Sequence, residues 1–276
     1  MLERARSDAE PRDDPATSAE ARAPVDTVEL MGVQLHRITA AACVARVVAA
    51  LNVGQGGWIV TPNLDHLRRL QHDAEFRDLC GQADLRVADG MPLVWASVVR
   101  GDPLPERVAG SDLIYSLSEA LAADRRRAFF LGGDPGTAEA AAAALAARYP
   151  GLHVAGAHGP APGFEKDAAT VAALRAAVRD ARPDLVFVAL GSPKQEQWIA
   201  RLRTEAPAAW WIGVGISFSF VCGDVKRAPA WVQRFGLEWA HRLVQEPGRL
   251  AHRYLFVGIP FATRLFGHAL IARVRR

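Results

Sequence analysis

Residues 185–190 read LVFVAL and are followed by GSP at residues 191–193. A short, unbroken apolar run that ends in glycine and proline is typical of a strand buried on both faces of a sheet. Such strands occur mainly in parallel sheets, because helices cover both faces there. The segment therefore predicts a central strand of an α/β domain, with a loop at its carboxyl end.

Apolar runs alternate with helical patterns on both sides of this strand. Further strands are predicted at residues 58–60, 85–88, 128–131, 153–157 and 209–214. Helices are predicted at residues 64–70, 111–123 with Ser111 as the N-cap, an alanine-rich stretch that ends near 149, 167–181, and a stretch that ends at 202. This alternation predicts a Rossmann-like α/β fold, a largely parallel sheet with helices on both faces. We expect one core domain over residues 30–233.

Composition excludes several classes of protein. The chain has 276 residues, of which 50% are hydrophobic and 23% are charged, so a disordered or fibrous protein is excluded. Its three cysteines form no CxxC pair, which argues against a disulfide scaffold and a cysteine zinc site and favours a reducing compartment.

The net charge of +3 conceals two opposite terminal segments. Residues 1–29 carry four arginines against eight acidic residues and predict a disordered acidic tail. Residues 234–276 carry eight arginines against two glutamates and are also rich in large apolar residues. Their apolar run is broken by Pro260, Arg264 and His268 and is shorter than the roughly 20 residues of a spanning helix. We therefore expect a basic amphipathic appendage on an anionic membrane surface, with a solvated helix face as the alternative. No nucleic-acid motif is present, so nucleic acid is not expected as a partner.

Polar residues follow several predicted strands, at the edge where ligands of such sheets bind. Asp89 follows one strand and could act as a general base, or it could cap a helix that begins near Pro92. Thr61 and Asn63 follow another strand, where loop capping is the alternative. Gly132 and Gly133 open a helix, a geometry that can hold a phosphate, although glycines there are more often simple tight turns.

Metal and dinucleotide signatures are missing. The chain has no Asp-x-Asp pair, no HExxH and no GxGxxG, so neither a metal-chelating pair nor a dinucleotide oxidoreductase is indicated. If phosphate charge must be neutralised during a reaction, arginines would have to do this in place of a metal. The candidates by position are Arg107, Arg242, Arg249 and Arg253.

Seven sequence blocks together resemble one family. They are TPN at 61–63, ADGMPLVW at 88–95, ERVAGSD at 106–112, LGGDP at 131–135, GSPKQEQW at 191–198, GVG at 213–215, and a last block from RAP at 227–229 through GLEW at 236–239 to RY at 253–254. In this order the blocks resemble the WecG/TagA/CpsF glycosyltransferases, glycosyltransferase family 26, over about residues 30–255.

The resemblance implies an inverting, metal-independent transfer of a sugar such as N-acetylmannosamine from a UDP-sugar to a polyprenyl-diphosphate-linked acceptor. It implies no cofactor, a role in cell-surface polysaccharide synthesis, and a peripheral location on the inner face of the cytoplasmic membrane, with the appendage closing over the site. A homo-oligomer is left open.

The resemblance also assigns roles to individual residues. Asp89 would be the general base, with Thr61 beside it and Arg249 at the leaving UDP. The expected substrate contacts are Asn63, Arg107, Gln195, Gly132, Gly133, Gly215, Ser219, Arg242 and Arg253.

One position departs from the family pattern. Residues 216–220 read ISFSF, so Ser219 stands where the family usually has an aspartate associated with nucleotide binding. A hydroxyl can still form a hydrogen bond but supplies no charge. The alternative function is therefore a catalytically impaired regulator that binds a nucleotide sugar or lipid.

Overall fold

The computed structural model describes residues 23–229, 232, 236–245 and 247–275, and leaves out the side chains of Arg242 and Arg249. Its strands are β1 (Thr27–Leu30), β2 (Val33–His36), β3 (Gly57–Val60), β4 (Leu85–Arg86), β5 (Arg127–Gly132), β6 (His153–His158), β7 (Leu185–Ala189) and β8 (Trp210–Gly213).

The helices lie between and after these strands. They are α1 (Ala40–Asn52), α2 (Leu64–His72), α3 (Ala74–Gly81), α4 (Met91–Val99), α5 (Gly110–Ala123), α6 (Thr137–Arg148), α7 (Ala168–Ala181), α8 (Lys194–Leu202), α9 (Ser217–Cys222), α10 (Glu238–Gln245), α11 (Pro247–Ala251) and α12 (Ile259–Val274). A π-helical segment, His252–Gly258, joins α11 to α12.

Six parallel strands form the central sheet in the order β4-β3-β8-β7-β5-β6. Strand β7 lies inside the sheet and is buried along its whole length, as its unbroken apolar sequence predicts. Val186 and Val188 pack into the core on one face, while Leu185 and Phe187 pack into the core on the other. Helices cover both faces, so the predicted Rossmann-like α/β fold is confirmed.

The N-terminal part of the fold differs from the prediction. Strands β1 and β2 form an antiparallel hairpin, and β1 begins at Thr27, inside the segment predicted as a tail. Val28 is fully buried, which explains why the chain is already folded there. Residues 1–22 of that predicted tail lie outside the described residues.

The predicted N-cap of α5 is also wrong. The cap position is Ala109, which makes no side-chain capping bond, and Ser111 lies inside the helix. The Ser111 hydroxyl instead accepts a hydrogen bond from Arg227 at 3.0 Å.

The C-terminal helices, which are α10, α11, the π-helical segment and α12, are more continuous than expected. Within the described part of the chain, the single stretch His252–Val274 is 23 residues long and, by length and composition alone, could cross a membrane. The expectation of a short, broken run is therefore wrong. Pro260 lies in the first turn of α12, next to the π-helical segment, where regular hydrogen bonding is already interrupted.

One face of α12 belongs to the protein core. Phe261, Leu265 and Ala269 are buried at four-residue spacing, and the helix contacts α4 and α2. The opposite face carries exposed apolar side chains, including Leu270, Ile271 and Val274. The C-terminal helices thus lie against the domain near the carboxyl ends of β3 and β4, where the cavity described next is found.

Candidate active site

A cavity of about 700 Å³ lies at the carboxyl ends of β3, β4, β7 and β8. The loops after these strands form its floor, and the C-terminal helices cover one side. Seven of the residues predicted for the site line it: Thr61, Asn63, Asp89, Arg107, Gln195, Gly215 and Arg253.

Asp89 lies on the floor of the cavity, held by its backbone. Its amide donates to the carbonyl of Pro62 at 2.7 Å, which ties the loop after β4 to the loop after β3. The N-cap of α4 is Gly90 and has no side-chain capping bond, so the capping alternative for Asp89 is wrong. Its carboxylate keeps 27% exposure and faces Arg107, with Oδ1 3.9 Å from Nη1.

Burial raises the pKa of Asp89 from 3.8 to about 6, because water no longer solvates the charge fully. The guanidinium of Arg107 opposes this shift, and the carboxylate of Glu238 adds to it. A carboxylate with a pKa near neutrality can both remain ionised at neutral pH and accept a proton, as a general base must.

Arg107 lies at the centre of an ion-pair network. Its Nη2 is 2.8 Å from Asp112 and its Nη1 is 3.3 Å from Glu238. Asp112 also pairs with Arg227 at 2.6 Å. Because Glu238 belongs to α10, this network links the C-terminal helices to the loop beside Asp89.

Thr61 and Asn63 lie on the loop after β3. Thr61 is nearly buried. Asn63 is the N-cap of α2, where its Oδ1 accepts from the amides of Asp65 and His66 at 3.0 and 3.1 Å. The capping alternative is therefore confirmed for Asn63, which nevertheless lines the cavity as well.

Gln195 is held under the loop after β8. Its Oε1 accepts from the amide of Gly215 at 3.1 Å. A Cβ atom at Gly213 would lie 2.4 Å from Nε2 of Gln195, so only glycine leaves room for this side chain.

His66 and Glu196 were not predicted from the sequence. His66 lines the cavity, and its Nε2 lies 3.3 Å from Oε1 of Glu196, which is 3% exposed. Burial acts to raise the pKa of Glu196, but the hydrogen bonds from His66 and Gln195 outweigh it, so the pKa lies below its ordinary value. The spacing of His66 from Asn63, three residues along one helix face, is the sequence signal that could have identified it.

Arg253 enters the cavity from the π-helical segment. Its Nη2 lies 2.9 Å from the carboxylate of Asp65, which also lies 3.6 Å from Arg68. Both arginines line the cavity, so two guanidinium groups face it around one carboxylate.

Gly132, Gly133 and Ser219 do not line the cavity in the described part of the chain. The amide of Gly133 donates to the carbonyl of Ala189 at 2.8 Å, so it is not free to bind a phosphate. Ser219 lies on α9, and its neighbours Ser217 and Phe220 reach the cavity instead. The side chains of Arg242 and Arg249, both predicted at the diphosphate, lie outside the described residues, although their backbones belong to α10 and α11.

Comparison with known proteins identifies relatives over most of the chain. The model of the glycosyl transferase WecG/TagA/CpsF family matches residues 28–275. An N-acetylglucosaminyldiphosphoundecaprenol N-acetyl-beta-D-mannosaminyltransferase of Bacillus spizizenii strain W23 is 36% identical over 199 residues, which are 72% of this chain and 75% of that protein. A protein of the same name from Bacillus subtilis strain 168 is 33% identical over 177 residues, 64% of this chain and 67% of that protein.

Proposed function

The chain belongs to the WecG/TagA/CpsF glycosyltransferase family, and we propose that it transfers N-acetylmannosamine or a similar sugar from a UDP-sugar to a polyprenyl-diphosphate-linked acceptor. The two Bacillus relatives, named as N-acetylmannosaminyltransferases for N-acetylglucosaminyldiphosphoundecaprenol, support the sugar and the acceptor. The observation that carries the proposal is Asp89, a carboxylate of raised pKa on the floor of a cavity faced by arginines.

Asp89 acts as the general base. It takes the proton from the acceptor hydroxyl while the hydroxyl oxygen attacks the anomeric carbon of the donor sugar. The bond from that carbon to the diphosphate oxygen breaks, and UDP leaves with the electron pair. Attack on the face opposite UDP inverts the configuration of the anomeric carbon.

Arginines stabilise the negative charge that develops on the leaving diphosphate, in place of a metal ion. Arg253 and Arg68 both face the cavity, and the resemblance assigns Arg249 and Arg242 to the same task. Within residues 23–229, 232, 236–245 and 247–275, no cluster of three His, Cys, Asp or Glu side chains could hold a metal ion. Transfer that continues in excess EDTA supports this assignment, and loss of transfer that is restored by Mg²⁺ would refute it.

The polyprenyl chain of the acceptor lies along the apolar side of the cavity. Trp95 of α4 and Val257, Phe261 and Phe266 of the C-terminal helices line that side. The exposed apolar face of the same helices continues outward from it, with Phe256 72% exposed. A lipid that remains partly in a bilayer could therefore reach Asp89 without exposing its chain to water.

We place the protein on the inner face of the cytoplasmic membrane as a peripheral protein. Helix α12 buries Phe261, Leu265 and Ala269 in the core, so a helix that crossed the bilayer would have to leave this packing. A helix that lies in the interface keeps it, and its exposed face inserts among the lipids.

A direct transfer assay tests the proposed function. The full chain is incubated with a panel of UDP-sugars and a short-chain polyprenyl-diphosphate N-acetylglucosamine, and the product is identified by mass spectrometry. Formation of an acceptor that carries one added hexosamine, with release of UDP, supports the proposal. UDP binding with no transfer to any acceptor of this class would favour the binding-only regulator instead.

A further inference from the structure

A continuous chain of hydrogen bonds crosses the carboxyl ends of three neighbouring strands. The amide of Gly215, after β8, donates to Gln195 at 3.1 Å, and Gln195 Nε2 donates to Glu196 Oε1 at 2.9 Å. The same Oε1 lies 3.3 Å from His66 Nε2, and His66 Nδ1 lies 3.0 Å from Oδ1 of Asn63, after β3. This series of hydrogen bonds therefore joins three cavity-lining residues, Asn63, Gln195 and Gly215, through His66 and Glu196.

His66 is the link that closes this chain. The two groups that face its ring nitrogens are both hydrogen-bond acceptors. One is Asn63 Oδ1, which already accepts from two backbone amides, and the other is the carboxylate of Glu196, whose pKa is lowered. The ring donates to both neighbours only when both nitrogens carry a proton. In that form it also compensates the buried charge of Glu196, whose Oε2 has no partner among the described residues.

The amide side chains at the two ends are oriented by these bonds. Three donors fix the oxygen of Asn63, so its NH₂ group is left for a ligand. Gln195 is fixed at both its oxygen and its nitrogen. Without the link, Asn63 keeps its two backbone donors but loses the third, and the nitrogen of Gln195 loses the acceptor that holds it at the cavity wall.

We propose that His66 and Glu196 are positioning residues that hold Asn63 and Gln195 in place for the substrate, and that His66, with both ring nitrogens protonated, places a positive charge near Asp89. This rests on the transferase function proposed above. Neither residue needs to contact substrate, since both act through the groups they orient.

The charged neighbours of Asp89 make the proposal testable by pH. They are Arg107 from the loop after α4, Asp112 from α5, Glu238 from α10 and His66 from α2. Arg107 and His66 lower the pKa of Asp89, whereas Glu238 and Asp112 raise it. Removing the charge of His66 should therefore raise the pKa of Asp89 and move the acid limb of the pH profile of kcat/KM to higher pH.

The test uses His66→Gln and Glu196→Gln in the full chain, alone and combined. The control is His72→Gln, at an exposed position near the end of the same helix. We expect each single variant to lose kcat/KM by on the order of 10- to 100-fold, as misplacement near a reacting group does. The double variant should lose less kcat/KM than the product of the two single-variant losses, because an amide pair leaves no uncompensated charge. Circular dichroism verifies that each variant is folded.

Two outcomes would overturn the proposal. One is a folded His66→Gln enzyme with unchanged kcat/KM, and the other is a loss of activity with the acid limb unmoved, which a merely structural role would give. The titration of Asp89 is also followed by ¹³C NMR of its carboxyl, assigned with Asp89→Asn. If the wild-type chain transfers no sugar, the proposed function fails, while the NMR titration still shows whether His66 acts on Asp89. An unmoved Asp89 titration in folded His66→Gln would then reject the proposed charge of His66 near Asp89.

Discussion

The carboxylate of Glu238 lies 3.3 Å from Nη1 of Arg107, and the same nitrogen lies 3.9 Å from Oδ1 of Asp89. Glu238 belongs to α10, so a residue of the C-terminal helices contributes directly to the electrostatics of the proposed base. The C-terminal segment is thus part of the site as well as its cover.

Glu238→Gln should lower the pKa of Asp89. Glu238 contributes a negative charge that raises this pKa, and its loss also frees Arg107 to interact more strongly with Asp89. The acid limb of kcat/KM is therefore expected to move to lower pH. Glu119→Gln, an exposed substitution on α5, is the matched control and should leave the limb in place. A limb that moves upward, or equally in both variants, would contradict the network.

Stability should depend on pH through Asp89. Its pKa is raised in the folded state from 3.8 to about 6, so the folded chain binds the proton more tightly than the unfolded chain. Stability from this group is therefore greatest at low pH and decreases as the pH rises from about 4 to about 6, by at most about 3 kcal/mol.

Asp89→Asn should remove this loss, so the variant gains stability relative to wild type above pH 6. Urea unfolding at a series of pH values measures it. A difference between the two proteins that is constant across the range would show that Asp89 titrates normally.

Gly236→Ala should displace the C-terminal helices. Gly236 has φ of +68°, and an added Cβ would lie 2.6 Å from Cβ of Met91 at the edge of the cavity. We expect a loss of about 1–3 kcal/mol in unfolding free energy and faster proteolytic cleavage of the C-terminal segment. The control is Gly248→Ala, where an added Cβ meets no atom within 4 Å. Equal proteolysis of the two variants would argue against this contact.

Membrane binding should depend on the exposed apolar face of the C-terminal helices. Phe256 is 72% exposed and Ile271 is 53% exposed, and inserting each into lipid contributes about 1.5–3 kcal/mol. Phe256→Ser with Ile271→Ser should therefore weaken sedimentation with anionic vesicles by at least about tenfold. Raising the salt concentration should also weaken vesicle binding by the wild-type chain, because salt screens its attraction to anionic lipids.

The control for this face is Val154→Ser, on the edge strand β6, where the side chain is 42% exposed. If Val154→Ser reduces vesicle binding as strongly as the two serine substitutions, the effect is not specific to the C-terminal helices.

The sequence was sufficient to predict the sheet because its strands are short, apolar and separated by regular helices. The unbroken run at residues 185–190 corresponds to β7, buried along its length. The hairpin of β1 and β2 is hard to predict because each strand has only four residues and β1 begins within the charged segment at residues 1–29. The continuity of the C-terminal helices is not evident from the sequence, because Pro260, Arg264 and His268 interrupt the apolar run. In the structure Pro260 lies in the first turn of α12, and the helix continues through the other two residues.

The position of Asp89 at the cavity was predictable because the residue directly follows a short apolar strand. The site was not predictable where function depends on packing between distant segments. His66 and Glu196 are 130 residues apart, and only the adjacency of β3, β8 and β7 brings them together. Gly132 and Gly133 indicate either a phosphate-binding turn or a simple tight turn, and the sequence does not show that the amide of Gly133 donates to the carbonyl of Ala189 on the neighbouring strand.

The most direct test of Asp89 as the general base is turnover by Asp89→Asn, measured as transfer from the UDP-sugar to the lipid-linked acceptor, alongside UDP affinity measured by calorimetry. We expect transfer to fall about 100- to 10,000-fold, as loss of a general base does, with UDP affinity unchanged. Transfer at close to the wild-type rate would contradict the assignment of Asp89 as the base.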